Sequence, residues 1–346
     1  MLHVGLDLSA KRVEVHVLGD DATTRWDGPW PIDREALGRL AGELLGFGEP
    51  VRAVIESMTG ARYVHDTLEA AGIDVRVADV VKAKGLAPLA CKTDRIDAWV
   101  LAELSRRDLI PEIWLPDPEV RGARERARFR LHPVKHRSML KNRVHATLKT
   151  HGVPVTVSDL FGTRGRHMLD RLNLPEPWAS TLHASIWLID QLDTQIDTIT
   201  HELRDLGADH PYIPLLQTIP GIGWTLAYTI AAEIGDITRF PTPNQLIGYT
   251  GLVPRVHQSG DHDRRGPITK HGPTYLRWAL IEAATHACRH PHYKPRYDQL
   301  KHRVGRARGA KTAQTDLARR IAFAIWHMCT KHQPFAPAGA ECVLAA

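Results

Sequence analysis

HVGLDLSAKRVEVHVLG, residues 3–19, decides the fold of the front of the chain. Residues 3–10 and 12–19 alternate in the manner of strands, with a tight turn near Lys11. A third extended piece around Thr23–Trp30 completes an antiparallel meander. Working outward, residues 33–45 carry helical spacing in Leu37, Leu40 and Leu44, with Asp33 as the N-cap candidate. VRAVIES, residues 51–57, reads as a short apolar strand ending in Glu56. Residues 61–71 read as a helix closed by Gly72, and DVRVADV, residues 74–80, as another strand. CKTDRIDAWVLAEL, residues 91–104, then opens a helix through Ile96, Val100, Leu101 and Leu104 that runs from Asp94 to Arg107.

The order β-β-β-α-β-α-β-α is that of a ribonuclease-H-like fold, in which strand ends and an adjacent helix converge on one sheet edge. Four acids stand at such places. Asp7 lies inside an apolar strand, where an unpaired carboxylate is expensive to bury, and Glu56 ends another. Asp94 and Asp97, three residues apart, share a helix face, and such a pair is costly unless a cation neutralises it. Hard oxygen ligands suit Mg²⁺ or Mn²⁺, and two such ions can clamp the oxygens of a phosphoryl transfer. The pattern alone leaves two readings open, a metal-dependent nuclease centre and carboxylates with structural roles.

With 346 residues the chain can bury a proper core and divides into two or three domains. Its hydrophobic and charged fractions, 43% and 24%, are those of a soluble globular protein. A net charge of +6 makes a polyanionic partner plausible without proving one. The four cysteines, Cys91, Cys288, Cys329 and Cys342, form no CxxC pair, which argues against a disulfide framework and a cysteine-rich zinc site. No apolar run approaches a membrane span, and the strand pattern begins at once, leaving no room for a signal peptide. A cytoplasmic protein without a membrane partner is expected.

The Pro-rich break PEIWLPDP, residues 111–118, marks the first domain boundary, so the first domain is 1–110. A basic helical and coiled-coil segment, 111–206, follows. Between Arg121 and Lys149, ten Lys or Arg face one acid, Glu125, which favours a phosphate-tracking surface over a merely solvated face. Its candidate contacts are Arg121, Arg124, Arg128, Lys135, Arg137, Lys141 and Arg143. Residues 182–206 carry a heptad seam (Leu182, Ile189, Ile196, Leu203 with Leu192, Ile199, Leu206), broken only at Ser185. It pairs either within the chain or between two protomers.

The last domain, 207–332, opens with LLQTIPGIGWTLAYTIAAEIGDITRF. Its Pro220-Gly221-Ile222-Gly223 turn leads into a helix at Trp224, the helix-hairpin-helix pattern, whose backbone N–H groups suit a phosphate. Ser259-Gly260 sits in a polar, basic loop with Arg255, His257, Arg264, Arg265 and Lys270, followed by an apolar helix, residues 275–288, that includes Arg277. A lone Ser-Gly is ordinarily a turn, although these cations could position a phosphate for serine attack. His286, Cys288, His290 and His292 lack a second ligand pair at zinc-finger spacing and read as surface. Residues 294–311 are basic again, residues 315–329 form a final helix, and the tail 333–346 is expected to be disordered.

These motifs resemble one family. GLDLSA, VIES and KTDRIDAWVLAEL are similar to the N-terminal DEDD domain of transposases of the insertion sequence 110 family. TIPGIGWTLAYTIAAEIGDITRF, YTGLVPRVHQSG and GPITKHGPTYLRWALIEAA resemble that family's C-terminal transposase domain. The resemblance implies an α/β RuvC-like domain, a helical middle and a mostly helical C-terminal domain. It implies a recombinase that excises and inserts a mobile element between donor and target DNA, guided by a structured bridge RNA. Asp7, Glu56, Asp94 and Asp97 match the family's Mg²⁺-binding tetrad, and Ser259 matches the serine that becomes joined to DNA. It implies a homo-oligomer, dimer or tetramer, in which acids and serine combine across protomers, and 182–206 resembles the helical segment that mediates association. Pro273 departs mildly from the expected small polar residue. Two other readings stand beside it: a hydrolytic nuclease of the Holliday-junction-resolvase kind, and a catalytically silent nucleic-acid-binding scaffold.

Overall fold

The computed structural model describes residues 1–86, 93–259 and 262–337, with Asp263 described in its backbone only. By internal packing the chain forms two compact units, Met1–Leu115 and Pro116–Ala346.

In the first unit the sheet consists of β1 (Leu2–Leu8), β2 (Arg12–Gly19), β3 (Thr24–Pro31), β4 (Val51–Glu56) and β5 (Asp74–Ala78). Its order is β3-β2-β1-β4-β5, the first three strands antiparallel and β1, β4 and β5 parallel. The helices are α1 (Arg34–Gly46), α2 (Ala61–Ala70), α3 (Val80–Leu86) and α4 (Asp94–Arg106). This element order fits the ribonuclease-H-like arrangement expected from the sequence, with α3 added.

One face of the sheet is apolar. Leu2, Val4, Leu6 and Leu8 of β1 and Val13, Val15 and Val17 of β2 are buried with Leu37, Leu40 and Leu44 of α1 and Val64 and Leu68 of α2. Alternation sends the intervening residues to the other face, against α4. Local signals set the helix starts: Asp33 accepts the Ala36 N–H at 2.9 Å, and Thr93 caps α4 by accepting the Ile96 N–H. The boundary expected after residue 110 falls after Leu115 instead, because Ile113 and Leu115 pack on the first core and Ile113 N–H donates to Val77 O.

The second unit contains α5 (Pro118–Thr150), α6 (Thr163–Asp170), α7 (Trp178–Leu206), α8 (Ile213–Gln217), α9 (Trp224–Ile234) and α10 (Pro243–Thr250). After these come β6 (Pro254–Ser259), β7 (His262–Ile268), α11 (Thr274–Ala287), α12 (Lys294–Val304) and α13 (Gly309–Lys331). Asp117 caps α5 with Pro118 in its first turn, so the Pro-rich break acts as a helix start. The buried seam residues Leu182, Ile189, Ile196 and Leu203 of α7 pack in the same chain, where α5 and α7 pair as a long antiparallel hairpin. α5 also packs on α9, which joins the two segments expected as 111–206 and 207–332 into one unit.

Two stretches read as loop or tail take other forms. Pro254–Ser259 and His262–Ile268 form the antiparallel ribbon β6–β7, with Ser259 opposite His262. Residues 333–337 lie against the domain as a strap: Phe335 N–H donates to Thr218 Oγ1 at 2.8 Å, and its ring stacks on Tyr293. Cys91, Gly260, Cys342 and the rest of the expected disordered tail, 338–346, lie outside the described residues.

Candidate active site and nucleic-acid surfaces

Three contacts align α4 along β1. His3 Nδ1 and Ser105 Oγ are 2.9 Å apart. Gly5 lies directly under the helix, for a Cβ there would come 1.8 Å from Ala98 O and 2.6 Å from Ala102 N. Moving toward the C-terminus of β1 therefore moves toward the N-terminus of α4, and this antiparallel course carries Asp97 and Asp94 to the Asp7 end of the strand. At the far side of the helix, Arg95 pairs with Asp27 of β3.

Asp7 and Glu56 belong to neighbouring parallel strands whose last paired positions are Leu6 and Ile55. They follow as the next residues on each strand, so both point to the α4 face. Asp7, Glu56 and Asp97 are half-buried and Asp94 is exposed. Asp7, Glu56 and Asp97 each have a partner within the chain. Among the described residues, no three His, Cys, Asp or Glu side chains are already drawn together as a metal cage. The donor set, four carboxylates at one end of one sheet face, has the chemistry of a hard divalent cation site.

Sequence reasoning passed over Glu14. It sits directly across from Asp7 on β2, shares its face, is 8% exposed and pairs with Arg12 at 3.1 Å. The signal was present in RVEVHVLG, where alternation puts Glu14 and His16 opposite the buried valines. His16 stands in the next row, between Gly5 and Asp27, and burial pushes its pKa down.

In the second unit Ser259 is exposed at the end of β6. Cross-strand pairing of His257 with Arg264 and Ser259 with His262 puts these four side chains on one face of the ribbon. Arg265 pairs with Val256 and belongs to the opposite face. Arg255, Arg264, Arg265 and Lys270 are all exposed. Arg277 is an anchor: it donates to Thr250 O at 3.2 Å and Thr274 Oγ1 at 3.3 Å, and burial lowers its pKa.

The expected phosphate-tracking helix is divided between inward and outward cations. Arg124 requires correction, because it faces α9 rather than solvent, and Arg128, half-buried, is tied to the same helix. Arg124 is 8% exposed and donates to Ala232 O at 2.9 Å and Glu233 O at 2.6 Å. Arg128 holds Glu233, which has no exposed surface, and that carboxylate raises the Arg128 pKa. Arg137 is bonded to Asp193 of α7, Lys141 lies over the Phe161 ring at 4.8 Å, and Arg121 is half-buried. Lys135 and Arg143 are exposed, as are Arg126, His136 and Lys149, which sequence reasoning had not singled out.

The two glycines of the α8–α9 turn differ in role. Gly221, at φ +89°, is pressed against α11, where a Cβ would come 2.5 Å from Ala283 O. Gly223 caps α9, and a Cβ there meets nothing within 4 Å, so that side of the turn opens on a hollow lined also by Arg204 and His286.

Two family models match this chain. Residues 4–152 match a DEDD transposase model of IS110, and residues 213–299 match the model described as the transposase IS116/IS110/IS902 family. The chain belongs to the IS110 family of transposases. Individual relatives of this IS110-family chain are distant. It is 26% identical to the transposase for insertion sequence element IS1111A of Coxiella burnetii, over 82% of this chain and 78% of that one. With the IS1328 transposase of Yersinia enterocolitica it shares 25% identity over 81% of this chain and 82% of the other. A pilin gene-inverting protein of Moraxella bovis is 29% identical over 56% of this chain and 52% of its own. The IS110-family chain thus spans between about half and four-fifths of the length of the relatives it matches. Among the described residues, no helix is long and apolar enough to cross a membrane.

Proposed function

We propose that this IS110-family protein is a DNA recombinase that cuts and rejoins strands through a serine nucleophile, prepared by an acidic edge and guided by a bridge RNA. The observation that carries the reading is the antiparallel course of α4 on β1, which collects Asp94 and Asp97 at the Asp7–Glu56 end of one sheet face. Mg²⁺, or Mn²⁺ in its place, held by these carboxylates would polarise the scissile phosphate as a Lewis acid.

Ser259 Oγ attacks phosphorus, forming an O–P bond as the bond to one strand's terminal oxygen breaks. His257 and His262, on the same face, are positioned to take the serine proton, and the departing strand is protonated to a hydroxyl. The phosphoserine link keeps the bond energy, so a hydroxyl of another strand can reverse the step without ATP. Arg264 supports the extra negative charge. Donor and target DNA and the guide RNA are proposed to run along the exposed cations of α5, the α8–α9 turn and the basic ribbon, in an assembly of two or four protomers. With sequence reading left to RNA pairing, the protein needs shape and charge contacts only. A relative named as a gene-inverting protein fits rejoining as well as cutting.

Protein, DNA and co-purified RNA, incubated with Mg²⁺ and denatured, are expected to yield a protein–DNA adduct that Ser259→Ala abolishes. Cleavage unchanged in Ser259→Ala would overturn the covalent step in favour of hydrolysis. Recombination intact in both Asp7→Ala and Asp97→Ala would leave only a scaffold role. Sequencing of co-purified RNA tests the guide: a discrete structured species from the flanking DNA is expected.

A further inference from the structure

A cleft of about 780 Å³ opens between α12, α13 and the strap 333–337, and no residue given a part in the proposed strand exchange lines it. Its volume lies in the range of small-ligand sites. Two features make its lining unusual.

The first is charge. Arg296, Arg319 and Arg320 all converge on one carboxylate, Asp316, at 3.2, 3.6 and 3.4 Å. Three guanidiniums share one anion, so the cleft keeps an excess of positive charge after its internal pairing is complete. Arginine suits phosphate because its planar fork can serve a second acceptor while one edge is engaged. Structural pairing alone would need one cation to tie α12 to α13.

The second is aromatic surface. Phe323 stands one turn beyond Arg319 and Arg320 on α13, on the same side of the helix, and remains 45% exposed inside the cleft. Its ring lies tilted against the His327 ring, at 4.6 Å and 56°. The floor is firm: Tyr293 is buried, Phe335 stacks on it at 6.0 Å, and the strap is tied down through Thr218. The open ring and the surplus guanidiniums are therefore presented by a packed frame.

We propose that this cleft holds one unpaired nucleotide of a nucleic-acid strand, its base stacked on Phe323 and its phosphate on Arg319 and Arg320. The π-face of any base can stack in this way, so the site is indifferent to sequence. A base inside a duplex has both faces covered and is excluded. The proposal rests on the reading that the protein handles nucleic acid, and adds a place where a strand is held unstacked.

Single-stranded DNA and RNA carrying one fluorescent 2-aminopurine test it, with duplex DNA and a mononucleotide as further arms. The full-length protein is expected to quench the probe in a single strand. Phe323→Ala should remove the quenching and weaken single-strand binding about tenfold, with duplex binding and melting temperature unchanged. Phe323→Trp should restore both. Arg319→Gln with Arg320→Gln should reduce the salt dependence of single-strand binding by about one to two counterions. The DNA and RNA arms identify which strand is held. Wild-type affinity and quenching in Phe323→Ala would overturn the cleft and leave the recombinase reading standing. Failure of the wild-type protein to bind any nucleic acid would overturn both. A mononucleotide bound as tightly as the strands would overturn the assignment to a strand.

Discussion

Arg128 grips Glu233 through two hydrogen bonds, Nε to Oε1 at 2.7 Å and Nη2 to Oε2 at 3.0 Å. Glu233 lies in the apolar run TLAYTIAAEIG, and its burial requires cationic partners, of which Arg128 is the nearer and Arg124, at 3.9 Å, the second. Arg128→Ala is therefore expected to destabilise the second unit by about 3–5 kcal/mol. Denaturant unfolding measures it. An unchanged midpoint with weakened DNA binding would return Arg128 to the phosphate surface.

Gly5→Ala is predicted to disable catalysis without touching an acid. The added methyl would meet the Ala98 carbonyl, forcing α4 off β1 and moving Asp94 and Asp97 away from Asp7. The overpacking should cost about 3 kcal/mol. Strand cleavage should fall to background under conditions where circular dichroism shows the protein still folded. Normal cleavage in a folded Gly5→Ala protein would contradict the alignment.

Glu14→Gln separates the neighbour of the acidic edge from its members. The carboxylate opposite Asp7 should assist the metal site from outside, so its neutralisation raises the Mg²⁺ half-saturation about tenfold. Activity at saturating Mg²⁺ should be largely retained, whereas Asp7→Asn should lose it. A Mg²⁺ titration distinguishes the two, and identical curves for Glu14→Gln and wild type would refute the role.

Acid should loosen the first unit through Glu103. Hydrogen bonds from Arg106, with burial opposing and Arg107 assisting, hold its pKa at about 2, below the ordinary value of 4.5. A depressed folded pKa means stability that is full above the unfolded value and lost as pH falls from about 4.5 toward 2. The loss should be of the order of 2 kcal/mol, allowing for solvent screening. Glu103→Gln should flatten this part of the stability–pH profile; an unaltered profile would rule the residue out.

Much of the first unit was legible because its strands obey one period. Valines and leucines every second residue in β1 and β2 announce one dry face, and the dry face determines where Asp7 points. The same rule, pressed further, would have found Glu14. Elsewhere, the charge count along α5 was correct, but cations do not declare a direction. Which arginines turn inward depends on Glu233, more than a hundred residues later, and the clue was a lone acid in an apolar helix. The ribbon β6–β7 was illegible for a different reason. Its described side chains are exposed on both faces except near the base, so no hydrophobic alternation exists to be read. Phe335, in a stretch rich in proline, shows its role only beside Tyr293.

That ribbon has a consequence for the host of such an element. Two strands without an apolar face are marginal by themselves in water, so whatever lies along the ribbon completes its shape. If Ser259 is the attacking group, its aim is then supplied by the assembled complex and withheld from the lone protein. Chance encounters with chromosomal DNA would meet a disarmed enzyme, and the genome carrying the element would be spared idle breaks.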